Sequence, residues 1–229
     1  MELSVRDSAQ LLKVSEKTIY RWIKQGKLPA YKVNEQYRFN RAGLLEWATS
    51  KRINVSVDIF HEPEDGAPPL TLAAALKSGG IHYRLSGKDK VSALKSVIEV
   101  MPLPEEVDRQ FLFQVLLARE SLGSTAVGNG IAIPHVRNPI VMHIPLPIIT
   151  LCFLEHRIEF GAMDAKPVHV LFTIVSPTIR AHLHLLSRLA FALRDAEFAA
   201  IIAKQGSREE ILAACDAVDR AIAQSALGA

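Results

Sequence analysis

The sequence predicts two units of different class. One is a small N-terminal winged helix-turn-helix head; the other is an α/β body with a mixed sheet flanked by helices. Three observations carry this. First, charge is partitioned along the chain: residues 1–52 hold 11 Lys/Arg against 5 Asp/Glu, residues 53–69 hold none against 4, and the remainder holds 16 against 15. Second, residues 53–69 lose helical periodicity and gather Pro63, Gly66, Pro68 and Pro69 with acidic residues, the composition of a connector. Third, after residue 70 amphipathic helical stretches come before, between and after apolar runs of strand length, the pattern of an α/β domain. The expected division is therefore 1–52 head, 53–69 linker and 70–229 body.

Composition bounds what such a chain can be. Its 229 residues, 49% hydrophobic and 22% charged, suit a globular protein able to bury a real core. No secretory leader is expected, because Arg6 and Asp7 interrupt the start. The most apolar segment, residues 140–154, contains His143, Pro145 and Pro147 and is too short to span a bilayer. Cys152 and Cys215 match no metal or redox spacing and read as reduced core thiols of a cytoplasmic protein. The net charge of +3 conceals a head of +6, so an anionic partner is expected for the head alone.

In the head, Ser4 can cap a first helix with Asp7 in its first turn, and Ala9, Leu11 and Leu12 point inward. Ser15 caps a second helix to about Gln25, with Ile19, Trp22 and Ile23 on its apolar face and Lys17, Tyr20, Arg21 and Lys24 opposite. Gly26 ends it in a left-handed conformation. Residues 31–33 and 37–39 read as a hairpin, and Asn40 caps a last helix over 41–50 that buries Leu44, Leu45 and Trp47. Two helices, a tight turn and a basic hairpin make a helix-turn-helix with a wing. The second helix would enter the major groove, with Lys17, Thr18, Tyr20 and Arg21 on the DNA side. Lys24, Lys32 and Arg38 would meet phosphates. The competing readings are a merely solvated basic face and a Tyr20 partly in the core.

The linker holds Val55, Val57, Ile59 and Phe60, which suit a short edge strand. In the body, helices are expected over 70–77, closed by Gly79-Gly80, and over 88–100, with Val91, Leu94, Val97 and Ile98 inside. Another is expected from Pro104 to about Leu122, and one from Pro177 or Thr178 to about Leu193, followed by two more. Strands are expected at 81–85, 131–133, 148–154 and 168–175. Gly128-Asn129-Gly130 is a loosened loop that hands over to a strand and then to Pro134-His135. His182 shares a helical face with Leu186, Leu189 and Leu193 and points inward. His184 lies on another face, so His182 and His184 cannot easily hold one metal ion with His135. His143, His156 and His169 read as structural or surface residues.

Two resemblances give these stretches a context. Residues 14–30, from Val14-Ser15-Glu16-Lys17-Thr18 through Gly26-Lys27-Leu28-Pro29-Ala30, resemble an excisionase-type, MerR-like DNA-binding domain. Arg38-Phe39-Asn40-Arg41 and Leu45-Glu46-Trp47 fit the same pattern. Leu117-Ala118-Arg119-Glu120-Ser121-Leu122-Gly123-Ser124-Thr125, Gly128 to His135 and Ala181 to Ala190 occur in the order seen in the fructose/mannitol-type enzyme IIA domain of the bacterial phosphotransferase system. Its nitrogen-regulatory branch is the most similar. The resemblance covers residues 70–224. It implies that His135 accepts a phosphoryl group from an HPr-type phosphocarrier.

The chemistry is consistent with that implication. A neutral imidazole is nucleophilic near pH 7, and the phosphoramidate it forms stays reactive. Phosphoryl transfer then needs positioning and donors for the phosphoryl oxygens. Ser124, Thr125, the amides near Gly128–Gly130 and His182 are the candidate donors. Arg119 would orient the loop, approach the phosphate or pair with a buried carboxylate. Val136 stands where the family has a small residue, and a branched side chain there is expected to narrow access to His135. A hydrogen-bonded structural histidine is the competing reading of His135.

The expected protein is a cytoplasmic, dimeric DNA-binding regulator that senses phosphotransferase status, with no cofactor, metal or membrane segment. The alternatives are a phosphoryl carrier whose head docks a protein, and a scaffold that kept the body fold and lost the chemistry.

Overall fold

The computed structural model describes residues 2–28, 30–33, 36–40, 43–44, 47–48, 51, 53, 70–136 and 144–227. The expected strand around Val55, and also Leu45 and His143, lie outside them. The chain divides into two units, residues 1–68 with 221–229 and residues 69–220.

The head contains β1 (Glu2–Leu3), α1 (Val5–Leu11), α2 (Glu16–Lys24), β2 (Tyr31–Val33) and β3 (Gln36–Asn40). Ser4 and Asp7 form a reciprocal capping box: the Asp7 amide donates to Ser4 Oγ at 3.2 Å and the Ser4 amide to Asp7 Oδ2 at 2.9 Å. These hydrogen bonds from Ser4 hold the Asp7 carboxyl below its ordinary pKa. Ser15 caps α2 by accepting from the Thr18 amide at 3.2 Å. Gly26, at φ +63°, makes the left-handed turn after it. Ile19, Leu12, Leu28, Phe39 and Leu44 fill the core, and Trp22 packs on Trp47 with ring centroids 5.2 Å apart.

One detail departs from expectation. β1 pairs antiparallel with β3, giving a three-stranded sheet in the order β1-β3-β2; two residues are too few to show a period of two in sequence. Asn40 is the last residue of β3; residues 41–42, where the expected helix would begin, lie outside the described residues. Residues 43–44 and 47–48 are helical.

The body holds α3 (Leu72–Gly79), β4 (Ile81–Leu85), α4 (Lys90–Val100), α5 (Arg109–Ser121), β5 (Ala126–Gly128) and β6 (Ile131–Ala132). These are followed by β7 (Ile148–Ile158), β8 (Val168–Val175), α6 (Ile179–Ala192), α7 (Ala196–Ala203) and α8 (Arg208–Leu227). Its five strands run in the order β4-β7-β8-β6-β5. The β4–β7 and β6–β8 pairs are parallel, whereas β7–β8 and β5–β6 are antiparallel, so the sheet is mixed as expected. β5 is an additional short strand.

α5 begins at Arg109 instead of Pro104. Asp108 is its cap, accepting from the Phe111 amide at 2.9 Å, and Pro104 to Val107 is a separate turn closed by Val107 N–H to Pro104 O. Val91, expected inside, is 52% exposed, while Ala93 takes the inward place with Leu94, Val97 and Ile98.

Strand alternation gives the sheet two apolar faces. One carries Ala132, Val136, Ile148, Cys152, Leu171 and Val175 and packs with residues of α4 and α5. The other carries Ile133, Ile149, Phe172 and Ile174, all buried. α3 crosses this second face so closely that a side chain at Gly79 would lie 2.2 Å from Ile149 O. α7 reaches it through Phe198, whose ring lies 6.5 Å from that of Phe172.

Candidate phosphoryl-acceptor site and basic helix surface

The site is built on the β5–β6 turn. Gly128, Asn129 and Gly130 have φ of +85°, +54° and +74°, a run that glycine and asparagine tolerate best. Gly130 has a second reason to be glycine: a Cβ would stand 2.5 Å from His169 Nδ1. Its carbonyl accepts from His169 N at 2.8 Å and Val170 N at 3.1 Å, which fastens the turn to β8. The Asn129 amide donates to Asp164 Oδ2 at 2.8 Å, and that bond holds the Asp164 carboxyl below its usual range.

From the turn the chain runs alongside β8 in one unbroken parallel register: Ile131 faces Val170, Ala132 faces Leu171 and His135 faces Ile174. Ile174 N–H donates to Pro134 O at 2.9 Å. His135 is thereby fixed by backbone on both sides, and its side chain is 3% exposed. Its Nδ1 lies 2.7 Å from Ile133 O. A carbonyl oxygen only accepts, so Nδ1 is the donor in this contact, and it is the neutral ring in this tautomer that has its lone pair on Nε2. The His182 ring lies 5.1 Å away, tilted by 39°. His182 is also 3% exposed, and Leu186 and Leu189 are buried beside it on α6, as the face count predicts.

The remaining sequence-predicted residues of this site hold the loop. Ser124 Oγ donates to Phe160 O at 2.6 Å. Thr125 Oγ1 donates to Glu120 Oε2 at 2.7 Å, and the Thr125 amide also reaches this carboxylate. Glu120 is buried and pairs with Lys90 at 3.1 Å. Arg119 is half-buried and donates to Gly123 O at 2.9 Å, closing the end of α5. In these positions Ser124, Thr125 and Arg119 shape the turn; the protons of both hydroxyls and of the Asn129 amide are directed at protein acceptors.

Val136 is 1% exposed and sits in the core cluster on the opposite face of the sheet from His135. The period of two sends adjacent side chains to opposite faces. The expected narrowing of access by its branched side chain is therefore corrected.

A buried polar cluster on the same helix went unread in the sequence. Arg188 NH1 pairs with Asp219 Oδ1 at 2.5 Å, and Arg188 Nε donates to His184 Nε2 at 2.7 Å. Asp219 also accepts from the Leu72 and Ala73 amides at 3.1 and 3.0 Å, capping α3 from 147 residues away. Burial, with Arg188 beside it, lowers the His184 pKa to about 4. Spacing along one helix does not disclose a partner so distant in sequence. His156 is exposed. Cys152 and Cys215 are buried free thiols, each pushed up to about 12 by burial. Among the described residues no helix is long and apolar enough to cross a membrane.

In the head, Lys17, Tyr20, Arg21 and Lys24 are exposed along α2. With Ser15, Thr18 and Gln25 they line an open depression. Tyr20 is 44% exposed, not core, and meets Tyr37 of β3 edge-on at 6.2 Å. Thr18 is tied to Ser15 through its amide and a 3.0 Å hydroxyl contact. Arg38 donates to Gln36 at 2.8 Å, and Lys32 lies in β2 opposite Tyr37.

The profile of a family described as "Phosphoenolpyruvate-dependent sugar phosphotransferase system, EIIA 2" matches residues 75–218. The chain belongs to this family. A helix-turn-helix domain profile matches residues 2–52, in agreement with the head read from sequence. A nitrogen regulatory protein of Pseudomonas aeruginosa is 36% identical over 132 residues, covering 56% of this chain and 83% of that one. One of Escherichia coli is 32% identical over 144 residues, covering 62% and 87%. The crystal structure of nitrogen regulatory protein IIA-Ntr from Neisseria meningitidis superposes with a TM-score of 0.55 at 25% identity, covering 63% of this chain and 98% of that one. This EIIA body is thus joined to a helix-turn-helix head, and the nitrogen-regulatory resemblance holds.

Proposed function

We propose that the protein is a cytoplasmic DNA-binding regulator whose EIIA body accepts a phosphoryl group on His135 from an HPr-type phosphocarrier and couples that state to transcription. The observation that carries this is the 2.7 Å contact of His135 Nδ1 with Ile133 O, which leaves Nε2 as the nucleophile on a side chain clamped between Pro134 and β8. In the transfer, the Nε2 lone pair forms the new N–P bond as the donor's N–P bond breaks. The released electron pair returns to the donor imidazole, and the proton stays on Nδ1, donated to Ile133 O. The EIIA family match and the nitrogen regulatory relatives support the donor class. The scaffold alternative rested on Val136, whose side chain lies in the core.

The exposed Lys17, Tyr20, Arg21 and Lys24 on a capped helix next to a hairpin support DNA as the head's partner. One such head is a small footprint, so the reading includes a dimer on DNA. Incubation of the full chain with phosphoenolpyruvate, enzyme I and an HPr-type protein tests the acceptor. Acid-labile, base-stable phosphate that disappears in His135→Ala is expected, and its absence from the wild type overturns the reading. Salt-dependent retardation of DNA by the full chain tests the head, and no retardation at low salt favours the protein-docking alternative.

A further inference from the structure

The proposed acceptor poses a question of donors. A phosphoryl group on His135 brings negatively charged oxygens into a low-dielectric site, where hydrogen-bond donors decide the rate. The hydroxyls of Ser124 and Thr125 and the amide of Asn129 are directed at Phe160 O, Glu120 and Asp164. Those three are engaged, which leaves room for donors beyond the ones read from the sequence.

β8 supplies a candidate. His135 and Ile174 are partners in a parallel register, so their side chains share a face of the sheet. Side chains alternate along extended chain, which puts Ser176, two residues beyond Ile174, on the face that carries His135. Ser176 is 0% exposed, and its hydroxyl has no hydrogen-bond partner among the described residues. Leaving a buried hydroxyl unsatisfied costs about 1–3 kcal/mol, so such a group marks a place where a ligand completes the structure.

Thr173 and Ser187 also have buried, unpartnered hydroxyls. Thr173 is one residue out of phase with Ile174 and faces the other side of the sheet. Ser187 lies more than a helical turn beyond His182. Only Ser176 adjoins the acceptor's register.

Two residues after Ser176, Thr178 caps α6, a helix of 14 residues. The amino end of a helix carries partial positive charge and amides directed along the axis. This end adjoins the acceptor, because His182, in the first turns of α6, sits ring against ring with His135 at 5.1 Å.

We propose that the Ser176 hydroxyl and the amino end of α6 form the cradle for the phosphoryl oxygens carried by His135, with Ser176 Oγ–H donating to one of them. This rests on His135 being the acceptor. The hydroxyl has no partner among the described residues and gains a charged acceptor on transfer, so it stabilises the phosphorylated state selectively.

The test compares full-length wild type, Ser176→Ala and Thr173→Val for the rate of phosphate uptake from a phosphorylated HPr-type donor, the lifetime of the phosphohistidine, and the Tm of the unphosphorylated protein. Loss of one hydrogen bond to a charged acceptor predicts uptake slower by about 10- to 100-fold in Ser176→Ala. Its unphosphorylated Tm is expected to be unchanged or raised, since no bond is lost there. Thr173→Val should match the wild-type rate. Wild-type uptake and lifetime retained in Ser176→Ala overturn the cradle and leave His135 as acceptor. A slower rate accompanied by a lowered Tm assigns Ser176 to structure and overturns it as well. No uptake by the wild type removes the acceptor reading and the cradle with it.

Discussion

The head and the body present their chemistry in opposite ways. On α2 the candidate residues Lys17, Tyr20, Arg21 and Lys24 are exposed, and their arrangement follows from the helical repeat alone. In the body the candidate pair, His135 and His182, is 3% exposed on both sides and comes from a strand end and a helix 47 positions apart in sequence. A solvent-exposed charge array acts at long range and tolerates local change. A buried imidazole pair acts at contact and depends on everything that sets its register. The two sites should therefore respond differently to substitution.

The sharpest separation is expected from His135→Ala. It should abolish acid-labile phosphate completely while leaving DNA retardation of the unphosphorylated chain intact. Loss of both would mean that the two sites are not separable. Next in size is Asp219→Ala. It strands the buried Arg188 and the first amides of α3, and breaking a buried pair in this way costs about 3–5 kcal/mol. Urea denaturation should show that loss in the body.

In the head, Arg21→Ala is expected to cost about 1–3 kcal/mol of DNA affinity and to relax specificity if the side chain reads a base. Lys24→Ala should weaken binding to all sequences and reduce the salt slope by about 1. Equal effects of the two on every sequence would make the whole face a phosphate contact. Val136→Ala removes core packing and should cost about 1–3 kcal/mol of stability without speeding phosphate uptake; a faster rate would restore the notion that this side chain hinders the donor.

The smallest effect concerns pH. Burial, with Arg188 beside it, keeps the folded pKa of His184 near 4, against an ordinary 6.5. Between those values the unfolded chain binds more protons than the folded one, so stability falls as pH drops from 6.5 toward 4. His82 and His169, also lowered by burial, act with the same sign. Replacing His184 by Gln should flatten part of that slope in Tm against pH, and an unchanged slope would remove His184 as a contributor.

Much of this was legible in the chain. Ser4, Ser15 and Thr178 announced their helices, because a capping hydroxyl acts on an amide two or three residues away. Gly26 announced a left-handed turn for an equally local reason. The inward direction of His182 followed from the leucines four and seven residues on. Three features that the sequence did not disclose share one cause. Pro104 was a plausible helix start until Asp108 proved the better cap. Ser124 and Thr125, candidate phosphate donors, direct their protons at Phe160 O and Glu120. Val136 looked obstructive until the pairing of His135 with Ile174 fixed which face each residue takes.

The sequence by itself determined the class of each unit, the ends of most helices and the basic face of α2, and it singled out the candidate acceptor histidine, because caps, turns and amphipathic faces are set within about one helical turn. The tertiary structure alone decided that Nδ1 of His135 holds its proton against Ile133 O. It also decided that Asp219 reaches back across the domain to α3, and that Ser176 is buried two residues beyond the strand partner of His135. Each of these depends on which strands lie side by side and in what register, and that is settled by the packing of the whole sheet.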